Sequence, residues 1–189
     1  LRIVAKKHFD ADFDTLRVLL ASPYHEYRLT ALLALTYRYA KLIDHASRVT
    51  CVNFYVSQVD AINNWDLVDL SCYKILGHWL FDKDKQLLYD WAKENHLWKQ
   101  RIAMISCMHF VKQGEFKDAL AIADLLQHHP HDLIHKAVGW ILREIGKENE
   151  QLLVDYLTPR YKKMPRTMLR YAIERFEEGK RKAFLNSMI

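Results

Sequence analysis

LWKQRIAM (97–104), LIHKAVGW (133–140) and TMLRYAIE (167–174) are the stretches that decide the fold. Each opens a segment with helical hydrophobic periodicity, and each follows a short polar break. Asn95 and His96 precede the first, Pro130-His131-Asp132 the second and Met164-Pro165 the third. Two earlier segments fit the same scheme. HEYRLTAL (25–32) lies behind Ser22-Pro23, which offers an N-cap and a first-turn proline for a helix reaching about residue 41. WDLVDLSC (65–72) lies behind Asn64, which can cap a helix running to about residue 81. Helix starts near 24, 65, 98, 132 and 165 give closing steps of 33–34 residues, with two helices per step. That period is the mark of a stacked helical repeat. The Trp, Leu-Gly and Tyr pattern of tetratricopeptide units is missing, so the expectation is an all-α, HEAT-like solenoid with a concave basic groove, filling residues 1–189 as one domain.

Composition agrees. The chain has 189 residues, half of them hydrophobic, with only five Gly and four Pro. Such a shortage disfavours turn-rich β architectures and glycine-loop nucleotide sites. Apolar runs are repeatedly broken by Arg, Lys, His or Asp, so no segment reads as a membrane span. Cys51, Cys72 and Cys107 have no CxxC spacing and read as buried thiols in a reducing compartment, which places the protein in the cytoplasm.

Superposing the five segments puts Arg28, Asp69, Arg101, Lys136 and Arg170 at equivalent positions. In a stacked repeat, equivalent positions form a row: here four cations and one carboxylate. Residues four apart share a helix face, so Trp65 joins Asp69 and Trp140 joins Lys136, with Arg143 extending the surface. Spaced cations suit a phosphate backbone, and tryptophans among them offer flat faces to sugars or bases. Net charge is +5, and residues 160–182 alone hold nine Lys/Arg against three Glu. The basic excess is therefore local.

NNWDLVD (63–69), LWKQRIAM (97–104), KAVGWILREIGK (136–147) and MPRTMLRYAIE (164–174), in that order, resemble the AlkD-type DNA alkylation repair family. The resemblance covers essentially the whole chain and implies an alkylpurine DNA glycosylase built from HEAT-like repeats. It assigns the lesion-facing roles to Trp65, Trp140, Asp69 and Arg101, the last on the lesion's phosphate. Lys136, Arg143, Arg170 and Arg28 then hold flanking DNA. It implies a monofunctional enzyme without metal or organic cofactor. Its partner is double-stranded DNA carrying alkylated bases, bound by a monomer at the nucleoid. The family often has Trp-Trp-Asp where this chain has Asn64-Trp65-Asp66, and the chain opens in mid-pattern with LRIVAKKHF. The expectation is that the family's N-terminal helices precede residue 1. The alternative is a catalytically silent repeat scaffold that binds nucleic acid or protein in its groove. Asp69 and the two tryptophans separate the two readings, since a phosphate binder needs neither.

The cluster His128-His129-Pro130-His131 with His135 is the best metal candidate, but it reads more simply as a polar turn with Asp132 capping the next helix. Gly146-Lys147 is followed by Glu148 and lacks the spacing of a phosphate loop.

Overall fold

The computed structural model describes residues 1–188, and every regular element among them is helical. The chain divides into two compact units, Leu1–Asp84 and Lys85–Ile189. No helix among the described residues is long and apolar enough to cross a membrane.

The first unit holds α1 (Arg2–Lys7), α2 (Phe13–Leu20), α3 (His25–Lys41), α4 (His45–Ser57), a 3-10 turn (Val59–Ala61), α5 (Trp65–Asp69), a π-turn (Tyr73–Gly77) and α6 (His78–Leu80). Side-chain oxygens start three of these helices. Asp12 accepts from the Thr15 amide, Asp44 from the Ser47 amide and Asn64 from the Trp65 amide. These bonds satisfy donors that a helix start leaves open. The core of this unit is α3, whose run from Ala31 to Thr36 is buried, with α1, α2 and α5 packed against it.

The helix expected from residue 65 to 81 is interrupted. It stops at Asp69, turns through Leu70 and Ser71, and resumes as a π-turn before α6. Ser71 Oγ donates back to the Leu67 carbonyl at 2.5 Å, and the buried Tyr55 hydroxyl lies 3.1 Å from Ser71 Oγ. A hydroxyl competing for the i−4 carbonyl bends a helix. The Tyr55 contact buries and fixes that bend.

The second unit holds α7 (Gln86–Lys93), α8 (Leu97–Lys112), α9 (Lys117–Leu126), α10 (Asp132–Glu148), α11 (Glu150–Leu157), α12 (Arg166–Ala172) and α13 (Glu178–Leu185). It is more regular: α8, α10 and α12 begin at 97, 132 and 166, and α10 packs on both of the others. The breaks expected at residues 95–96, 130–132 and 164–165 are all present, with one reassignment. The cap of α10 is His131, whose Nδ1 accepts from the Leu133 amide, and Asp132 is the first helical residue. His96 does the same for α8, accepting from the Lys99 amide.

Gly139 permits a close approach between two helices of this unit. A Cβ there would meet Tyr171 Cβ at 2.5 Å and the Met168 carbonyl at 2.6 Å, so only a glycine lets α10 lie this close to α12. All three cysteines are buried, as their spacing predicts.

Candidate functional site

In the first unit, Asn64 fixes the start of α5, and Trp65 is its first residue, 53% exposed. Asp69 ends the same helix one turn later and is 9% exposed. The pair therefore combines an open aromatic face with a carboxylate largely withdrawn from water. Behind Asp69 stands Tyr55, fully buried. Its phenol is pushed well above the ordinary value, first by burial and further by the Cys72 and Asp69 charges, with the Ser71 hydrogen bond pulling the other way. Asp66 anchors the helix from outside, with Oδ2 2.7 Å from His25 Nε2 and Oδ1 accepting from the Leu67 amide. His25 and Asp66 lie 41 residues apart and meet only in the fold, so no local pattern announces the pair.

Arg28 is occupied locally. Its Nη1 donates to the Ser22 and Pro23 carbonyls at 2.8 and 3.1 Å, bracing the turn before α3.

In the second unit, Arg101 is 4% exposed, because α8 is buried without interruption from Gln100 to Met108. Its Nη1 donates to the Leu133 carbonyl at 2.5 Å, tying α8 to the first turn of α10. Spacing alone predicts an open face for Arg101, but α7, α9 and α10 all pack against α8 and enclose it. Arg101 also lies near enough to Lys136 for its charge to be felt there. Lys136 is held above its ordinary value chiefly by the Asp132 carboxylate one turn earlier, 2.7 Å away, and Arg101 works weakly against this.

Trp140 is half-buried, and its Nε1–H donates to Glu144 Oε1 at 3.2 Å. Arg143 is half-buried and pairs through Nη1 with Glu174, while its Nε lies 3.5 Å from Glu144 Oε1. Arg170 is exposed on α12 and makes no ion pair among the described residues. With Arg181, Glu174, Ile173 and Leu185 it lines a shallow hollow of about 240 Å³. Of the five cations singled out by spacing, four are already engaged, Arg28 and Arg101 by carbonyls and Lys136 and Arg143 by carboxylates. Glu144 and Asp132 sit at i+4 and i−4 to Trp140 and Lys136, so helical spacing alone could have found both partners. Glu174, 31 residues from Arg143, could not be found that way.

The histidine turn serves the backbone. His131 caps α10, His129 Nδ1 accepts from the His131 amide, and His135 Nε2 donates to the His129 carbonyl.

The family model for DNA alkylation repair enzymes matches residues 1–176. The chain belongs to that family. No curated relative matches it. Among solved structures, a protein of Enterococcus faecalis described as a predicted DNA alkylation repair enzyme superposes with a TM-score of 0.69 at 15% identity, covering 92% of this chain and 81% of that one. At that identity the likeness is one of fold: this DNA alkylation repair family member has an all-α helical-repeat architecture.

Proposed function

We propose that this family member excises cationic N3- and N7-alkylated purines from duplex DNA by hydrolysing the N-glycosidic bond. The observation that carries the reading is the Trp65–Asp69 pair: a nearly buried carboxylate one helical turn from an exposed indole.

An alkylated purine bearing positive charge is already a good leaving group. As its bond to deoxyribose lengthens, positive charge builds on the sugar. A carboxylate in a water-poor site opposes that charge far better than one in bulk water, and it can also orient or deprotonate the attacking water. Asp69 has that role. Trp65 and Trp140 flank the deoxyribose, excluding water and adding cation–π stabilisation. Arg101 faces the lesion's phosphate, and Lys136, Arg143, Arg170 and Arg28 hold flanking backbone. Residues 1–189 act as one functional domain, as a monomer, in the cytoplasm. The enzyme is monofunctional, and the hydrolysis leaves an abasic site.

The burial of Arg101 and the carboxylate partners of Lys136 and Arg143 favour a second reading, a catalytically silent helical scaffold for nucleic acid. One experiment separates the two. Methylated duplex DNA is incubated with wild type and with Asp69→Asn, and free 3- and 7-methylpurines are measured. Release by wild type that falls with the variant supports the glycosylase. DNA binding without release supports the scaffold.

A further inference from the structure

Glu144 holds Trp140 from one turn away on α10. Its Oε1 accepts the indole N–H at 3.2 Å, while Lys147 Nζ donates to Oε1 and Oε2 at 2.7 and 2.8 Å. Arg143 Nε stands 3.5 Å from Oε1, and the same guanidinium pairs with Glu174 beyond α12. The carboxylate is itself largely buried. A tryptophan on a helix keeps two soft torsions, and only packing or its single N–H can fix them. Here the N–H is fixed by an acceptor that two cations immobilise. The indole inherits its orientation from that cluster.

We infer that Glu144 is the positioning residue for Trp140, setting the angle at which the ring meets the deoxyribose. The inference rests on the role proposed above for Trp140. An indole face stabilises a developing sugar cation only when the charge lies over the ring. A misplacement on the order of 1 Å at such a site costs up to about a hundredfold in rate. The competing account makes Glu144 an ordinary surface partner of Lys147 and Arg143. Its removal would then act regardless of what stands at position 140.

The test has one readout with DNA and one without. The chain has five tryptophans, so nitrogen-15-labelled protein gives five indole N–H resonances, and the one lost in Trp140→Phe is that of Trp140. Glu144→Ala should move that resonance alone, and Glu144→Gln, which keeps a carbonyl acceptor, should move it less. In single-turnover excision of 7-methylguanine, Glu144→Ala should slow the maximal rate roughly tenfold or more with duplex affinity unchanged, and Gln should restore most of the loss. In the Trp140→Phe background, where no N–H exists, Glu144→Ala should slow nothing further. Equal slowing in both backgrounds, or an unmoved indole resonance, would overturn the inference. Wild type that excised nothing would remove the proposed activity, and the indole resonance would still decide whether Glu144 holds the ring.

Discussion

The two compact units differ in charge and in regularity, and the differences run in opposite directions. Residues 1–84 carry ten Lys/Arg and ten Asp/Glu, so the first unit is neutral, and the whole +5 belongs to the 18 Lys/Arg and 13 Asp/Glu of the second. The neutral unit is also the irregular one, with α5 cut short and a π-turn behind it. Its exposed large aromatics, Tyr24, Tyr27 and Trp65, are the only ones among the described residues. The basic unit repeats nearly evenly and keeps its aromatics more covered. Regular repetition suits a surface that must present many similar cations to a uniform polyanion. A departure from it gives one residue, such as Asp69, surroundings that no repeat-mate shares.

If that division is right, the largest effect should come from the neutral unit. Asp69→Asn should slow excision by about 10²–10³-fold in single-turnover kinetics, with duplex affinity held or slightly raised, because an electrostatic stabiliser is lost while shape is kept. Normal excision by a well-folded Asp69→Asn protein would break the comparison at its first term. Packing comes next. Gly139→Ala should cost about 1–3 kcal/mol by forcing α10 from α12, seen as a lower Tm, whereas the same change at Gly114 meets no neighbour but strains a backbone with φ of 80°. Equal melting of Gly139→Ala and wild type would show that α10 and α12 can part without loss.

Salt dependence sharpens the charge contrast. Arg170→Gln should flatten the log–log salt slope of duplex binding by roughly 0.9, one phosphate contact, while Arg17→Gln in the neutral unit should leave it unchanged. A larger effect at Arg17 would reverse the assignment of roles. The smallest effect is acid sensitivity. Asp12 and Asp44 are held below the ordinary 3.8 by the backbone amides they cap, Thr15 and Ser47. A depressed carboxylate stabilises the fold above its unfolded value and loses that contribution as pH falls through its lower folded value. Below about pH 4, amide exchange should therefore quicken at Thr15 and Ser47, and Asp12→Asn should remove the pH dependence at Thr15 alone.

Much of the fold was legible because helix boundaries are local. Asn64, His96, Pro130-His131 and Pro165 announce breaks through their own chemistry, and the structure places a helix start behind each. The interruption after Asp69 was hidden because it depends on Tyr55 reaching Ser71 across 16 residues. The candidate site divides in the same way. Trp65 above Asp69 follows from helical pitch, as do Trp140 with Glu144 and Lys136 with Asp132. The burial of Arg101 follows from three helices closing on α8, and sequence spacing cannot count neighbours. Spacing names the face a residue occupies, and packing decides whether anything can still reach it.

The π-turn at Tyr73–Gly77 carries a consequence for how this chain tolerates changes in length. Such a turn is an α-helix holding one residue more than its pitch allows. Loops absorb a change in length by closing differently, whereas here the turn is already widened by its extra residue, and one more inserted residue would swing one side of the segment by about 100° against the other. On one side stand the buried Ser71 and Cys72, and on the other His78, whose Nδ1 lies 3.0 Å from the Tyr39 hydroxyl. Both sides are anchored, so neither can follow the rotation. This five-residue stretch should tolerate side-chain changes at the part-exposed Tyr73 and Lys74, resist them at the buried Ile75 and Leu76, and accept no lengthening.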